Sequence, residues 1–254
     1  MSHRKVRFGI AALSVGALLA PVAVAITPAT DSVVTSGSMI RASGQHSSNW
    51  SGYALAGSYS SITGSWTVPK ATPTTAATTY ASTWIGIDGL ANRNLIQTGT
   101  ESDIINGVVH YDAWWEVLPA AERVIRKMTV NPGDHMTASI VHGSANRWAI
   151  TLTDMTTGAN FTLTRNYRGA SASAEWIVER PQIGRGLSTL SNYGATTFTG
   201  LTANRVGPAL IPSEAISMVG DTGTSVISTP SAPSLLGDAF TVSYGPLASV
   251  APAG

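Results

Sequence analysis

Residues 61–68 read Ser61-Ile62-Thr63-Gly64-Ser65-Trp66-Thr67-Val68, a stretch in which bulky apolar side chains alternate with small or polar ones. In an extended strand, successive side chains point to opposite faces, so Ile62, Trp66 and Val68 share one face. Alternation of this kind is typical of a β-strand with one buried face. The stretch therefore predicts a strand of a sheet whose bulky face belongs to the core.

The same alternation recurs along the chain, and turn-forming residues separate the runs. Further runs cover residues 80–88, 110–118, 148–153, 161–166, 174–179 and 240–244, and turn clusters stand at 132–134, 142–144 and 156–158. Short strands at regular spacing predict an all-β fold, an antiparallel sandwich or barrel.

One helix is predicted, over residues 119–127, because Pro119 suits a first helical turn. No repeat or composition break divides residues 49–254, so we expect a single domain.

Composition excludes several classes of protein. The chain has 254 residues, 43% of them hydrophobic and 11% charged, with 15 Lys+Arg against 14 Asp+Glu. An apolar chain of this length is not disordered, and it carries no basic patch typical of a nucleic-acid binder. It has no cysteine, which excludes disulfides, zinc–thiolate sites, iron–sulfur clusters and a cysteine nucleophile.

The first residues have the features of a secretory signal. Arg4, Lys5 and Arg7 precede an apolar run over residues 8–20, and Ala23-Val24-Ala25 supplies the small residues that a signal peptidase accepts. We expect a signal peptide over residues 1–25, a flexible lead-in or short pro-segment over 26–48, and the folded domain over 49–254. The mature protein is then secreted and extracellular, with no membrane attachment.

Metal sites and serine triads are poorly supported by the sequence. The five histidines lack ligand-type spacing, and no Gly-x-Ser-x-Gly motif occurs. We therefore expect neither a metal nor an organic cofactor.

The segment Glu175-Trp176-Ile177-Val178-Glu179 places two carboxylates on one strand face. Paired carboxylates on a β-sandwich are typical of concanavalin-like jelly-roll glycosidases, whose carboxylates stand roughly 5–9.5 Å apart. Four residues of strand span about 13 Å, so Glu175 and Glu179 do not form such a pair. Glu175 instead needs a partner from another strand. A carbohydrate-binding or glycan-hydrolysing jelly roll stays open as the alternative function, and a non-catalytic adhesion module as a third.

A set of ordered motifs resembles the eqolisin family of glutamic peptidases. The motifs are Asn49-Trp50-Ser51-Gly52-Tyr53, Thr63-Gly64-Ser65-Trp66-Thr67-Val68-Pro69, Trp84-Ile85-Gly86-Ile87-Asp88-Gly89, Leu95-Ile96-Gln97-Thr98-Gly99, Tyr111-Asp112-Ala113-Trp114-Trp115-Glu116, Pro132-Gly133-Asp134, Ala174-Glu175-Trp176-Ile177-Val178-Glu179 and Phe240-Thr241-Val242-Ser243-Tyr244. Each motif is weak evidence of the family by itself, but together the motifs follow the family's order over nearly the whole predicted domain. The resemblance implies a sandwich of two antiparallel sheets, in agreement with the strand pattern.

The resemblance also implies a catalytic pair, Gln97 and Glu175, and an acid-active endopeptidase that needs no cofactor. Glu175 is then the general base and acid acting on water, and Gln97 stabilises the oxyanion. The family pattern assigns to the substrate groove Trp84, Asp88, Asp112, Trp114 and Glu116. We expect polypeptide substrates and a monomer. Glu101 replaces the aspartate of fungal members and Trp115 the usual tyrosine, so subsite preference is left open.

Overall fold

The computed structural model describes residues 45–253, so the predicted signal peptide and most of the lead-in lie outside the described residues. Within these described residues there are seventeen strands: β1 (Gln45–Ser47), β2 (Trp50–Ala56), β3 (Ser61–Thr67), β4 (Ser82–Ile87), β5 (Ile96–Ile105), β6 (Val108–Val117), β7 (Arg123–Thr129), β8 (His135–His142), β9 (Arg147–Asp154), β10 (Asn160–Asn166), β11 (Ser173–Glu179), β12 (Gln182–Ile183), β13 (Gly186–Leu187), β14 (Ala195–Ala203), β15 (Ala215–Val219), β16 (Val226–Pro230) and β17 (Phe240–Tyr244). Every predicted strand coincides with one of these to within two residues. The all-β prediction is confirmed.

Fourteen of these strands form two packed layers that share one hydrogen-bonded path; β1 pairs with β15 in parallel beside it, and β12 and β13 form a separate two-stranded sheet. The path runs β10-β9-β8-β3-β14-β17-β16-β15-β2-β11-β4-β5-β6-β7, and neighbours along it are antiparallel. Strands β3, β8 and β9 pack against β4 and β5, which folds the path into a β-sandwich. We call the layer of β15, β2, β11, β4, β5, β6 and β7 the site layer.

The main core lies between the two layers. Trp66 and Trp176 are buried there, and each indole N–H has a partner: Trp66 donates to the Thr100 hydroxyl at 2.9 Å and Trp176 to the Thr63 carbonyl oxygen at 2.7 Å. Both rings lie in the cluster between the layers, so these two tryptophans belong to the core and not to a substrate surface. Trp176 lies between Glu175 and Ile177, so those two residues point to the outer face of the site layer.

The helix predicted over residues 119–127 is wrong. The chain turns at 118–119 and then enters β7, which pairs with β6; across residues 45–253 the helical geometry is confined to one 3-10 turn, Pro212–Glu214. A register shift in β7 buries Ile125 and Met128, three residues apart. That spacing is also typical of a helix, and pairing with β6 outweighs the weak helical preference of a nine-residue segment.

Candidate active site

The outer face of the site layer carries a row of five residues on five neighbouring strands. Register pairing places them directly opposite one another in the order Ala54 (β2), Glu175 (β11), Gly86 (β4), Gln97 (β5) and Glu116 (β6). Residues directly opposite in an antiparallel pair point to the same face. We call this set the Glu175 row; it brings together three of the sequence-predicted site residues.

Two parallel rows complete the face. The Trp84 row contains Gly52, Ile177, Trp84, Gly99 and Trp114, and the Glu101 row contains Trp50, Glu179, Ser82, Glu101 and Asp112. Trp84, Trp114 and Asp112 therefore lie on the same face as Gln97 and Glu175. Alternation predicted the face of each residue, whereas the rows depend on register, which single strands do not reveal.

Gly86 separates Glu175 from Gln97. Their strands are two apart in the sheet, which puts their Cα atoms about 10 Å from each other. A Cβ atom on Gly86 would lie 2.8 Å from Trp84 Cζ3 and 3.0 Å from Leu95 Cδ1. Side-chain atoms of Trp84 and Leu95 therefore lie over Gly86, and the missing Cβ leaves room for them between Glu175 and Gln97. Sequence reasoning missed this role, although a glycine inside a strand is a sign of close approach.

Glu175 is fully buried, and neither of its carboxyl oxygens has a hydrogen-bond partner of good geometry among the described residues. Burial raises the pKa of the Glu175 carboxyl well above its usual range; the nearby Ser173 hydroxyl opposes the shift, and the Asp88 carboxylate adds to it. Loss of hydration disfavours the charged form, which accounts for the direction. Glu175 therefore keeps its proton to a higher pH than an exposed glutamate does.

This raised pKa predicts how Glu175→Gln changes stability with pH. The folded protein retains the Glu175 proton at pH values where the unfolded chain, with a glutamate pKa of about 4.3, has released it. The resulting stability is complete below about pH 4 and is lost as pH rises toward the folded-state pKa. Gln does not titrate, so the variant should melt at a higher temperature than wild type at pH 7 and at the same temperature at pH 3. Thermal unfolding at both pH values checks this, and equal melting temperatures at pH 7 would contradict it.

Gln97 is buried and bonded to Glu116. Its Nε2 donates to Glu116 Oε2 at 2.6 Å, and both residues are about 1% exposed. Gln97 Oε1 is buried and has no hydrogen-bond partner within the described part of the chain. The row therefore contains an anchored amide nitrogen beside Glu116 and, in Glu175 and Gln97, buried oxygens that a ligand or water can satisfy.

Glu179 has a different environment from Glu175. Its Oε2 accepts a hydrogen bond from the Trp84 indole N–H at 2.9 Å, and its Oε1 accepts one from the Asn49 side-chain amide at 3.1 Å. Both oxygens are thus engaged by protein donors. This difference supports the expectation that Glu175 and Glu179 do not act as a pair.

Asp88 lies just beyond β4, in a left-handed backbone conformation (φ 70°). Its carboxylate accepts hydrogen bonds from the Tyr167 hydroxyl at 2.6 Å, from the Ser171 and Ala172 backbone N–H groups at 2.8 Å, and from the Asn92 side chain at 2.8 Å. The contacts fasten the connection between β4 and β5 to the segment before β11. Asp88 thus fixes the strand that carries Glu175.

An apolar cluster surrounds the row. It comprises Trp50, Ala54, Trp84, Leu95, Trp114, Ile177 and Ile216, with Leu90 and Leu118 packed against it from the loops after β4 and β6. The indole N–H groups of Trp50 and Trp114 are buried without a partner in residues 45–253. Sequence reasoning did not single out Trp50 or Leu95 for this site. No group of three potential metal ligands occurs in that same range.

The family model described as the peptidase A4 family matches residues 48–244, a span that contains all three rows. The chain belongs to the peptidase A4, or eqolisin, family. Aspergillopepsin-2 of Aspergillus niger is 30% identical over 224 residues, covering 79% of this chain and 78% of its own. Scytalidopepsin B of Scytalidium lignicola is 30% identical over 138 residues, covering 52% and 51% of the two chains.

Solved A4 structures share the fold. The aspergilloglutamic peptidase from Aspergillus niger superposes with a TM-score of 0.55 at 30% identity, over 65% of this chain and 99% of that one. Scytalido-glutamic peptidase, solved with a transition state analog inhibitor, superposes with a TM-score of 0.63 at 23% identity, over 78% and 98% of the two chains. Because its sequence identity is only 23%, the similarity to scytalido-glutamic peptidase supports the fold alone.

The family resolves the choice between the functions considered above. This A4 peptidase is a glutamic endopeptidase, and its substrates are polypeptides. The glycan-acting alternative and the adhesion module are set aside. Within residues 45–253, no helix is both long and apolar enough to cross a bilayer.

Proposed function

We propose that this peptidase cleaves peptide bonds with Glu175 as general base and acid and with Gln97 as the group that stabilises the oxyanion. The observation that carries the proposal is the Glu175 row: a buried carboxyl and a buried amide face the same space across Gly86. The Glu175 carboxyl oxygens, which have no partner among the described residues, suit a bound water molecule.

The reaction follows from the chemistry of these two groups. The Glu175 carboxylate takes a proton from the water as its oxygen attacks the peptide carbonyl carbon. The carbonyl oxygen becomes an oxyanion, which an amide N–H of Gln97 stabilises in a site shielded from solvent. Glu175 then gives its proton to the amine nitrogen as the C–N bond breaks. One water is consumed, and a carboxylic acid and an amine leave.

The groove residues have proposed roles in holding the substrate. Trp84 and Trp114 offer apolar surface next to the reacting groups, and the free Trp114 indole N–H suits a substrate carbonyl oxygen. Asp112 lies half-buried at the far end of the Glu101 row, where it can meet a substrate N–H. Asp88 is assigned to the groove by family pattern, and its four contacts indicate that it acts by fixing the groove wall.

Leu90 and Leu118, in the loops after β4 and β6, pack against the apolar cluster around the Glu175 row. Since Glu175 and Gln97 are almost completely buried, a polypeptide reaches them only when these segments move. We therefore propose that binding includes a loop opening.

Activity on an uncharged peptide should be greatest in acid and fall toward neutrality. The ionised, basic form of Glu175 is lost as pH falls through its raised pKa. The acid side of the rate–pH profile, its acid limb, should therefore lie above the ordinary glutamate pKa of about 4.3. Several carboxyl groups share this face, and negative charge on them opposes formation of the oxyanion. The measurement is a kcat/KM profile from pH 2 to 8, with a circular dichroism check at each pH.

The same assay separates the proposal from other hydrolases. A serine–histidine enzyme gains activity as its histidine deprotonates near pH 6.5, so a maximum at or above neutrality would contradict the Glu–Gln mechanism. Incubation with denatured protein and, in parallel, with a polysaccharide panel should release peptides and no sugars.

Secretion and a monomeric state are proposals that rest on the sequence. The signal-like residues 1–25 and residues 26–44 of the lead-in lie outside the described residues.

A further inference from the structure

The Gln97 amide is held in one of two possible orientations. Its Nε2 donates to Glu116 on β6, and Glu175 lies on the opposite side of Gln97 along the row. The oxygen and nitrogen of an amide diverge from one carbon, so with Nε2 on Glu116 the Oε1 atom points away from Glu116. Oε1 has no partner in the described part of the molecule.

This orientation is the one that an ionised Glu116 requires. A carboxylate can only accept hydrogen bonds, so it selects the amide N–H, as in the contact from Gln97 Nε2 to Glu116 Oε2. A protonated carboxyl also donates, and its O–H can bond to an amide oxygen. The two ends of an amide have nearly the same shape, so the buried site can accept either orientation.

The two orientations differ in what they offer to the reaction. With Oε1 toward Glu175, Gln97 presents lone pairs to the space where the oxyanion forms, and lone pairs repel an oxyanion. With Nε2 toward Glu175, Gln97 presents N–H donors, which is what oxyanion stabilisation needs. The chemical step is therefore favoured by the orientation that the ionised Glu116 opposes.

We propose that Glu116 is a positioning residue whose protonation turns the Gln97 amide. When Glu116 is protonated, its O–H donates to Gln97 Oε1 and Nε2 turns toward Glu175; when Glu116 is ionised, the amide turns back and the oxyanion loses its donor. Only a proton is gained or lost in this change. The proposal rests on the Glu–Gln mechanism and supplies a cause for its alkaline limb.

Other ionisable groups surround Glu116 and have to be distinguished from it. They are Asp112 on its own strand, Glu175 and Glu101 on the same face, Asp88 beyond β4, and Glu122 and Arg123 at the start of the β7 side. Glu122 precedes β7 outside the three rows and carries the same functional group, so Glu122→Gln is the matched control.

The test is the pH profile of Glu116→Gln. The new amide can donate to Gln97 Oε1 at every pH, so the alkaline limb of kcat should move up by at least one pH unit. The ratio of kcat at pH 7 to kcat at the wild-type optimum should rise at least tenfold. Glu116→Leu can neither donate nor accept and should lower kcat about 10²–10³-fold at acid pH. Glu122→Gln should keep the wild-type profile. If Glu116→Gln keeps the wild-type alkaline limb, the proposal is overturned.

A spectroscopic measurement covers the case in which Glu116→Gln does not fold. The side-chain ¹⁵N–¹H signals of Gln97, assigned by their loss in Gln97→Ala, should shift in wild type with the same midpoint as the alkaline limb. Signals that stay constant across that limb contradict the proposal. Wild-type activity in Gln97→Ala or Glu175→Gln would instead defeat the Glu–Gln mechanism itself, so the two failures are distinguishable.

Discussion

Glu175→Gln is expected to lower kcat about 10²–10⁴-fold, because the variant has no general base to activate the water. The two side chains are nearly isosteric, so the protein should fold as wild type does. Near-ultraviolet circular dichroism establishes the fold, and initial rates on a short neutral peptide at acid pH give the loss.

Gln97→Ala should lose activity on a similar scale, about 10²–10³-fold, the usual effect of removing one oxyanion donor. Glu179→Gln is the matched control on the same strand face. Its carboxylate is engaged by Trp84 and Asn49, so its replacement should reduce activity much less. Wild-type-like cleavage by either Gln97→Ala or Glu175→Gln would overturn the assignment of the catalytic pair.

Gly86→Ala should reduce kcat/KM about 10²-fold, because a displacement of about 1 Å at a catalytic site can cost that much. The added methyl enters the space between Glu175 and Gln97, and its contact with Trp84 and Leu95 is too close unless one of them shifts. The expected result is a folded protein with normal secondary structure and poor activity.

Gly207→Ala serves as the control for Gly86→Ala. A Cβ atom at Gly207 has no neighbouring atom within 4 Å, so this variant should match wild type in both stability and rate. Equal activity of the two alanine variants would show that the space above Gly86 is not needed for catalysis.

The faces of individual strands could be predicted from the sequence, and their pairing could not. Alternation in residues 174–179 correctly separates Trp176, which enters the core, from Glu175 and Glu179, which point outward. Side-chain period is a local property of a strand. The placement of Gly86 between Glu175 and Gln97 depends on the register of three strands that are distant in the chain, and no local pattern records it.

The contact between Gln97 and Glu116 shows the same limit. The motifs place both residues near a groove, but only the pairing of β5 with β6 sets them directly opposite each other. The helix error at residues 119–127 has a related cause. Pro119 suits a first helical turn and a turn between strands equally well, and the pairing of β7 with β6 decides between them.

Strand β11 lies between β2 and β4, which precede it by about 120 and 90 residues. Pairings between such distant segments form slowly during folding, because loop-closure entropy is lost before the contacts are gained. Strands β4, β5 and β6 follow one another in the chain and can bring Gln97 and Glu116 together earlier, whereas Glu175, the proposed base, joins them only when β11 inserts between its two neighbours. Under the proposed mechanism, a partly folded copy therefore cannot cleave the chains around it.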